Sequence, residues 1–451
     1  MNNQRSNFSS KLGFIMAAAG SAVGLGNIWR FPYLAAQYGG GIFLLVYLVL
    51  AVTFGFALMT AEISLGRKTG LSAVEAFGKL SKKWAFVGYI AALVPIIILP
   101  YYSVIGGWIV KYFFAFVSGD GIAAADSGYF GAFVSKVSQP IGWFMLYIGI
   151  TAVVVWFGVE KGIERVSKVL MPVLVILSIV IAVYGISMKG AMEGVKYYII
   201  PNFDHFSAKT VLAAMGQLFY SMSLAMGIMI TYGSYMKTED SIESSVRHIE
   251  IFDTGIAFLA GLMIIPSIFA VGDPEQLLEK GASLMFVVLP QLFAQMPAGQ
   301  VVGTAFFIMV FFAALTSSIS LMETIVSIFM DKFRLSRKVS CVVVFAICIV
   351  LGVPSSLGNG IWSGIKIIGM DFLTFFDFVS NNIIMPVVAF LTCIFVGYVL
   401  KTKTVEEEVE ASGHKFKAVW LFRVVIKYFA PICIVLILIS SVLDAFGIFK
   451  I

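Results

Sequence analysis

Charge is what this chain has least of. Only 12% of its 451 residues are Asp, Glu, Lys or Arg, against 60% hydrophobic, and the mean hydropathy is +0.96. That balance excludes the soluble globular classes, which carry roughly 25% charge. Cysteine is almost as scarce: Cys341, Cys348, Cys393 and Cys433 all lie in apolar runs. They read as packed small hydrophobes, with neither a disulfide framework nor a metal spacing. The three histidines, His205, His248 and His414, are far apart in loops, so no metal pair or nucleophile–base set argues for an enzyme. No phosphate-cradling P-loop pattern is visible, which argues against a nucleotide-driven cycle. The polar start from Met1 to Ser10 runs straight into a full-length span, so no cleavable signal peptide is expected.

What the chain does have is apolar runs. A bilayer crossing needs about 20 such residues. Runs at 11–37, 41–66, 84–116, 140–158, 163–188, 206–236, 249–271, 300–330, 337–354, 375–400 and 418–447 predict eleven spans, with the termini on opposite sides. The expected fold is all-α and integral to the membrane, one domain over 1–451. With the N-terminus inside, roughly twenty basic residues fall on the cytoplasmic side and about seven outside. Basic loops therefore account for the net charge of +6, and no nucleic-acid partner is called for. The run Glu406-Glu407-Glu408 with Glu410 reads as a solvated face. Residues 272–299, opening Gly-Asp-Pro-Glu, read as an outer amphipathic hairpin, a candidate lid.

The first span is odd. Gly20-Ser21-Ala22-Val23-Gly24-Leu25-Gly26-Asn27 is followed by Ile28-Trp29-Arg30-Phe31-Pro32, placing three glycines, an asparagine and an arginine at membrane depth. Glycine weakens a helix, and a buried arginine needs a partner. Two readings stand at this point: close packing of helices through small residues, or a broken helix whose bare backbone groups bind something small. The sixth span is also polar at its centre, from Gln217 through Tyr220, Ser221 and Ser223 to Met226 and Gly227. Breaks in corresponding helices of two inverted repeats frame a midplane site. Half-helix N-termini offer amides to a carboxylate, and unwound carbonyls offer the oxygens that hard cations prefer. The eighth span adds Thr316, Ser317, Ser318 and Ser320, and the seventh carries Asp253. An intramembrane carboxylate is a functional candidate by default, although Asp253 could also simply mark a helix start.

These residues together resemble the neurotransmitter:sodium symporters, in their bacterial eleven-span branch. The motifs are Gly20 to Pro32, Pro100-Tyr101-Tyr102, Gly162-Ile163-Glu164-Arg165, Gln217 to Ser223, Ile230 to Tyr235 and Leu315 to Ser318. The resemblance implies two inverted five-helix repeats, about 11–188 and 206–400, with helices 1 and 6 broken and one extra span at 418–447. It implies a multi-pass protein of the bacterial inner membrane, its C-terminus outside, that imports a small-molecule amino acid with Na⁺. One sodium site would use Ala22, Asn27, Ser221 and Asp253; a second would use Gly20, Val23, Ala313, Thr316 and Ser317. The substrate would meet Ala22, Leu25, Gly26, Ile98, Tyr102, Tyr220, Ser221, Ser223, Met226, Ser317 and Leu321. An outer gate would pair Arg30 with Asp377 near Gln217. An inner gate would pair Arg5 with Asp331 near Ser234 and Tyr235, and Glu62 would satisfy amides of the first break. Phe8, where tryptophan is usual, suggests looser stacking.

Departures from the family refine this. Ala257 stands where chloride users carry serine, while Asp253 stands where many members carry asparagine, so the expected transport needs no chloride. Met226 replaces a common phenylalanine and can yield to a large side chain, which favours a bulky or aromatic L-amino acid. Gly162 and Pro172 suggest either local unwinding of the fifth span or a static kink. The rival reading is a non-transporting amino-acid sensor on the same scaffold.

Overall fold

The computed structural model describes residues 7–271 and 283–445. Among them regular structure is helical, and β-type pairing is limited to isolated bridges such as Gly40 with Pro201. The chain begins with a bent pair, α1 (Lys11–Ala22) and α2 (Gly26–Gln37), which meet at 52°. There follow α3 (Gly41–Thr69), α4 (Lys82–Val117), α5 (Ser138–Trp156) and α6 (Val159–Ser187). Two shorter pieces come next, α7 (Ala208–Ser221) and α8 (Ile228–Gly233). Further along come α9 (Ile242–Val271), α10 (Gly299–Phe333), α11 (Arg337–Leu357), α12 (Phe372–Val399), a short α13 (Thr402–Glu410) and α14 (Val419–Leu443).

Nine of these helices are each long and apolar enough to cross a bilayer, and the bent α1–α2 pair makes a tenth. The pieces α7 and α8 are too short and too widely separated to count alone, so the described residues give nine to ten apolar spans. Helix α10 is the hub, with 78% of its apolar window buried, while α5 and α6 bury only 33% and present Val153, Ile176 and Val180 outward. Of the expected lid, 272–282 lie outside the described residues, and a helical stretch, Leu284–Gln295, follows.

Both breaks have local causes. At Val23 the backbone leaves the helix for an extended ψ of 109°. The Gly24 amide then donates to Asn27 Oδ1 at 3.0 Å. The second break, 222–227, holds three left-handed residues: Ser223 (φ 54°), Ala225 (φ 60°) and Gly227 (φ 72°). Such a conformation suits glycine and strains serine and alanine, so surrounding contacts must hold it. One holder is Glu62 on α3, whose Oε1 accepts from the Ala225 amide at 2.7 Å. Glu62 thus serves the second break, correcting its assignment to the first. In the fifth span, Gly162 lies in a π-helical turn, Val159–Glu164, and Pro172 sits inside the α-helix that continues from it.

The acidic run is no solvated face. Glu406 and Glu408 lie on the docked side of α13 with Val405 and Val409, and Glu407 points out. Arg67, at the end of α3, donates to Glu408 Oε1 at 2.8 Å, to the Glu408 carbonyl, and to the Asp240 carbonyl at 2.7 Å in the α8–α9 loop. Arg423 grips Glu406 with bonds of 2.8 and 2.6 Å, which hold that carboxyl below its ordinary pKa. Helix periodicity, which composition alone ignores, chose the buried acids.

Candidate functional site

The two breaks face each other and are stitched together. Ser223 Oγ donates to the Ser21 carbonyl at 2.9 Å, and Ser21 Oγ lies 3.1 Å from Ser223 Oγ. From α7, Gln217 Nε2 donates to the Gly26 carbonyl at 2.7 Å. Between the breaks lies a small cavity of about 30 Å³. Every residue expected around a substrate lines it except Ser221, and Ser21, Gly24 and Ile228, which the sequence reading missed, join them. At one end the Leu25 amide donates to the Tyr102 hydroxyl at 3.3 Å. Gly24 has no room for a side chain, because a Cβ there would lie 2.7 Å from Ser317 Oγ.

On one flank, Asp253 is fully buried and gathers donors from three other helices. Its Oδ1 accepts from Asn27 Nδ2 at 2.7 Å and from Ser221 Oγ at 2.6 Å, and its Oδ2 accepts from the Tyr47 hydroxyl at 3.0 Å. Ser221 therefore turns to Asp253 and away from the cavity. Tyr47 was missed; its only signal in sequence is a hydroxyl amid the apolar run of α3. On the other flank, Ser317 Oγ donates toward the carbonyls of Ser21 and Val23, both at 3.1 Å, and of Gly20 at 3.4 Å. Thr316 Oγ1 donates to the Ala313 carbonyl at 3.1 Å. Three carbonyl oxygens from the end of α1 and the first break thus meet the Ser317 hydroxyl of α10, and oxygens of this kind are the donors a small hard cation takes.

Outside the cavity is a vestibule of about 480 Å³, with Tyr220 lining both spaces as a partition. Arg30 and Asp377 both line the vestibule but form no direct ion pair, contrary to the expected gate contact. Arg30 lies over the Tyr220 ring, 5.3 Å from its centroid, while Asp377 accepts from Tyr101 at 3.1 Å and Asn381 at 2.6 Å. Each charge is met instead by other partners, Asp377 by neutral donors and Arg30 by an aromatic face.

Among the described residues, aromatic side chains pack the opposite end. Phe8 is buried and packs edge-on against Phe14, Tyr232 and Tyr235, so its stacking is not loose. Its amide donates to the Tyr235 carbonyl at 3.2 Å. Asp331 accepts from the Ser72 amide at 2.8 Å, and Arg5 lies outside the described residues. Two further carboxylates work here that the sequence reading did not assign. Glu323 is fully buried, paired with Arg337 at 2.6 Å and accepting from the Tyr235 hydroxyl at 2.7 Å. Glu164 accepts from the Ser9 amide at 2.7 Å and from Lys168 at 2.6 Å, tying the start of α1 to α6.

Comparison with known proteins identifies the family and the fold. The model of the sodium:neurotransmitter symporter family matches residues 5–120 and 134–447. The chain is 33% identical to the uncharacterized sodium-dependent transporter YhdH of Bacillus subtilis, over 96% of this chain and 97% of that one. It is 32% identical to an uncharacterized sodium-dependent transporter of Haemophilus influenzae, over 98% and 99% respectively. Among solved structures, MhsT in complex with L-phenylalanine superposes with a TM-score of 0.88 at 37% identity, covering 97% of this chain and all of that one. These relatives are transporters and not enzymes, and the chain itself belongs to the sodium:neurotransmitter symporter family.

Proposed function

We propose that this protein is a Na⁺-coupled importer of a bulky hydrophobic or aromatic L-amino acid, working by alternating access without chloride. The observation that carries the reading is the Asp253 cluster. A fixed carboxylate there meets the Asn27 amide and the hydroxyls of Ser221 and Tyr47. In this reading a first Na⁺ is held by Ala22, Asn27, Ser221 and Asp253, and a second by Gly20, Val23, Ala313, Thr316 and Ser317. Asp253 supplies the negative charge that a chloride would otherwise bring, since a cation at this depth needs a compensating anion. The substrate carboxylate meets the amides of Leu25 and Gly26 beside Tyr102, its amine meets carbonyls near Ala22 and Tyr220, and its side chain lies against Ile98, Met226 and Leu321. Support for a bulky side chain comes from flexible Met226 and from phenylalanine in the MhsT structure. The cavity is small, so a bulky substrate has to widen it.

Na⁺ binding draws α1 toward α10 and completes the substrate site. The substrate then pulls Tyr220 inward and Arg30 toward Asp377, shutting the vestibule. Loss of the second Na⁺ frees α1 from Ser317, and Phe8 and its aromatic neighbours part. Each inward Na⁺ contributes about 2.3 kcal/mol per 100 mV of membrane potential. The proposal includes eleven spans, with α7 and α8 as one crossing, in the bacterial inner membrane with the N-terminus cytoplasmic.

The test is uptake of labelled phenylalanine into proteoliposomes carrying an inward Na⁺ gradient, with chloride or gluconate as the anion. Wild type should accumulate substrate equally in both. Asp253→Asn should lose uptake or become chloride-dependent; unchanged uptake by that variant in gluconate refutes the charge argument. Binding without accumulation would mean a sensor.

A further inference from the structure

We propose that the groove between α5 and α11, at the end of the molecule where basic loops cluster, is a specific binding site for an anionic glycerophospholipid. The proposal rests on the membrane-spanning reading of these two helices and on nothing in the transport cycle. The groove has a volume of about 440 Å³ and stands apart from the central cavity and the vestibule. Its walls are Gly149, Ala152 and Trp156 of α5, Phe157 just beyond, and Val342 and Phe345 of α11. No charged side chain lines it.

Its orientation follows from the helix ends. Phe157 is followed by a turn at Gly158 (φ 88°), and α11 is capped at its start by Ser336, whose side chain accepts from the Val339 amide. One end of the groove therefore lies at the membrane surface. The other, at Gly149, is about 10 Å deeper at 1.5 Å per residue. A slot with that direction and lining suits a fatty-acyl chain running along the membrane normal. Trp156 and Phe157 at its mouth are residues that favour the bilayer interface.

The mouth carries a free cation. Lys338 Nζ lies 5.7 Å from the centroid of the Trp156 ring. Its neighbour Arg337 is consumed by buried Glu323, but Lys338 has no carboxylate partner among the described residues. Glu160, exposed in the turn beyond Phe157, forms no ion pair with it. A lysine stem lying on an aromatic ring, with its ammonium at the surface, meets a lipid phosphate when the acyl chain fills the groove below. A zwitterionic lipid offers the same chain without the net negative charge, so the site should discriminate by headgroup.

The test uses the full-length protein in vesicles and Trp156 as the reporter. Its share of the emission from seven tryptophans is the difference between wild type and Trp156→Phe. Lipids brominated on the acyl chain quench a tryptophan that they touch. At equal mole fraction and low salt, brominated phosphatidylglycerol should associate about fivefold more strongly than brominated phosphatidylcholine, the factor one lysine contributes at an anionic surface. Lys338→Gln should erase the difference and leave phosphatidylcholine quenching unchanged. Gly149→Phe, at a position where a Cβ meets nothing within 4 Å, should fill the deep end and reduce quenching by both lipids. A thermal melt of each variant, matched to wild type, verifies folding independently of transport. Equal quenching by the two lipids in wild type would mean only the bulk annulus and overturn the proposal. So would a headgroup preference that survives Lys338→Gln, or quenching indifferent to Gly149→Phe.

Discussion

Gly24→Ala adds a single methyl group at the point where the first break meets α10. That carbon would lie 2.7 Å from Ser317 Oγ and 3.0 Å from the Tyr102 hydroxyl, both inside contact distance. Two movements can relieve the clash. Ser317 can rotate, but its hydroxyl then leaves the carbonyls of Ser21 and Val23, each now 3.1 Å away. Tyr102 can retreat, but its hydroxyl then leaves the Leu25 amide. Stranding a buried polar group costs about 1–3 kcal/mol, and overpacking a filled interior costs a similar ~1–3 kcal/mol. These are alternative escapes from one contact, so they do not add. The cost falls on the α1–α10 cluster assigned to the second Na⁺, and it corresponds to a loss of roughly 5- to 150-fold in apparent Na⁺ affinity.

The assay is a Na⁺ titration of labelled phenylalanine uptake in proteoliposomes, with two other glycines for comparison. At Gly20 a Cβ would meet Thr316 Cβ at 3.1 Å, a contact that a shift of a few tenths of an ångström relieves, so Gly20→Ala should cost less. At Gly216 in α7 a Cβ meets nothing within 4 Å, so Gly216→Ala should be neutral or slightly stabilising. The expected order of damage is Gly24, then Gly20, then Gly216. A half-saturating Na⁺ concentration for Gly24→Ala within twofold of wild type would refute the argument, as would equal damage at Gly216.

Five other substitutions, at Glu62, Glu408, Glu407 and Met226, test contacts elsewhere in the structure. Glu62→Leu removes the acceptor of the Ala225 amide and should lower thermal stability by about 1–3 kcal/mol, whereas Glu62→Gln keeps an acceptor and should stay near wild type in the same melting assay. Glu408→Gln breaks the pair with Arg67, whose side chain is 2% exposed, and should destabilise measurably, short of the ~3–5 kcal/mol of a fully buried pair because Arg67 keeps its backbone acceptors. The adjacent Glu407→Gln should change little, since Glu407 and Lys403 are 62% and 80% exposed. Met226→Phe stiffens the cavity wall and should shift a competition panel from aromatic toward smaller aliphatic amino acids by roughly 10-fold or more, the scale of steric discrimination in apolar pockets.

The parts of this site that announce themselves in sequence are those where a residue offends its surroundings. Glycines, Asn27 and Arg30 in one apolar run, Thr316 and Ser317 in another, and Asp253 in a third stand out because the bilayer interior penalises them. Residues that do not offend stay hidden. Tyr47 is at home in an apolar helix, and only the fold brings its hydroxyl to Asp253, 206 positions away. Glu62 does stand out, yet both breaks leave amides open, and sequence does not say which of them α3 passes. The acids of α13 look solvated by composition, and what buries two of them is the side of a helix, set by a period of 3.6 residues and by Arg67 far upstream.

The contacts that complete each break come from elsewhere in the chain. The Gly26 carbonyl of the first break is met by Gln217, and the Ser21 carbonyl by Ser223 of the second. The Ala225 amide of the second is met by Glu62, on the helix that follows the first. The carbonyls of Gly20 and Val23 face Ser317. An unwound turn buried in a membrane survives only where its open backbone groups find partners, so neither helix can hold its break alone. A ligand that adds oxygens or donors at one break therefore alters the partners available to the other. On the proposed site assignment, that dependence would let a small cation beside α1 change the fit of a substrate that also touches α7 and α8, with no separate relay between them.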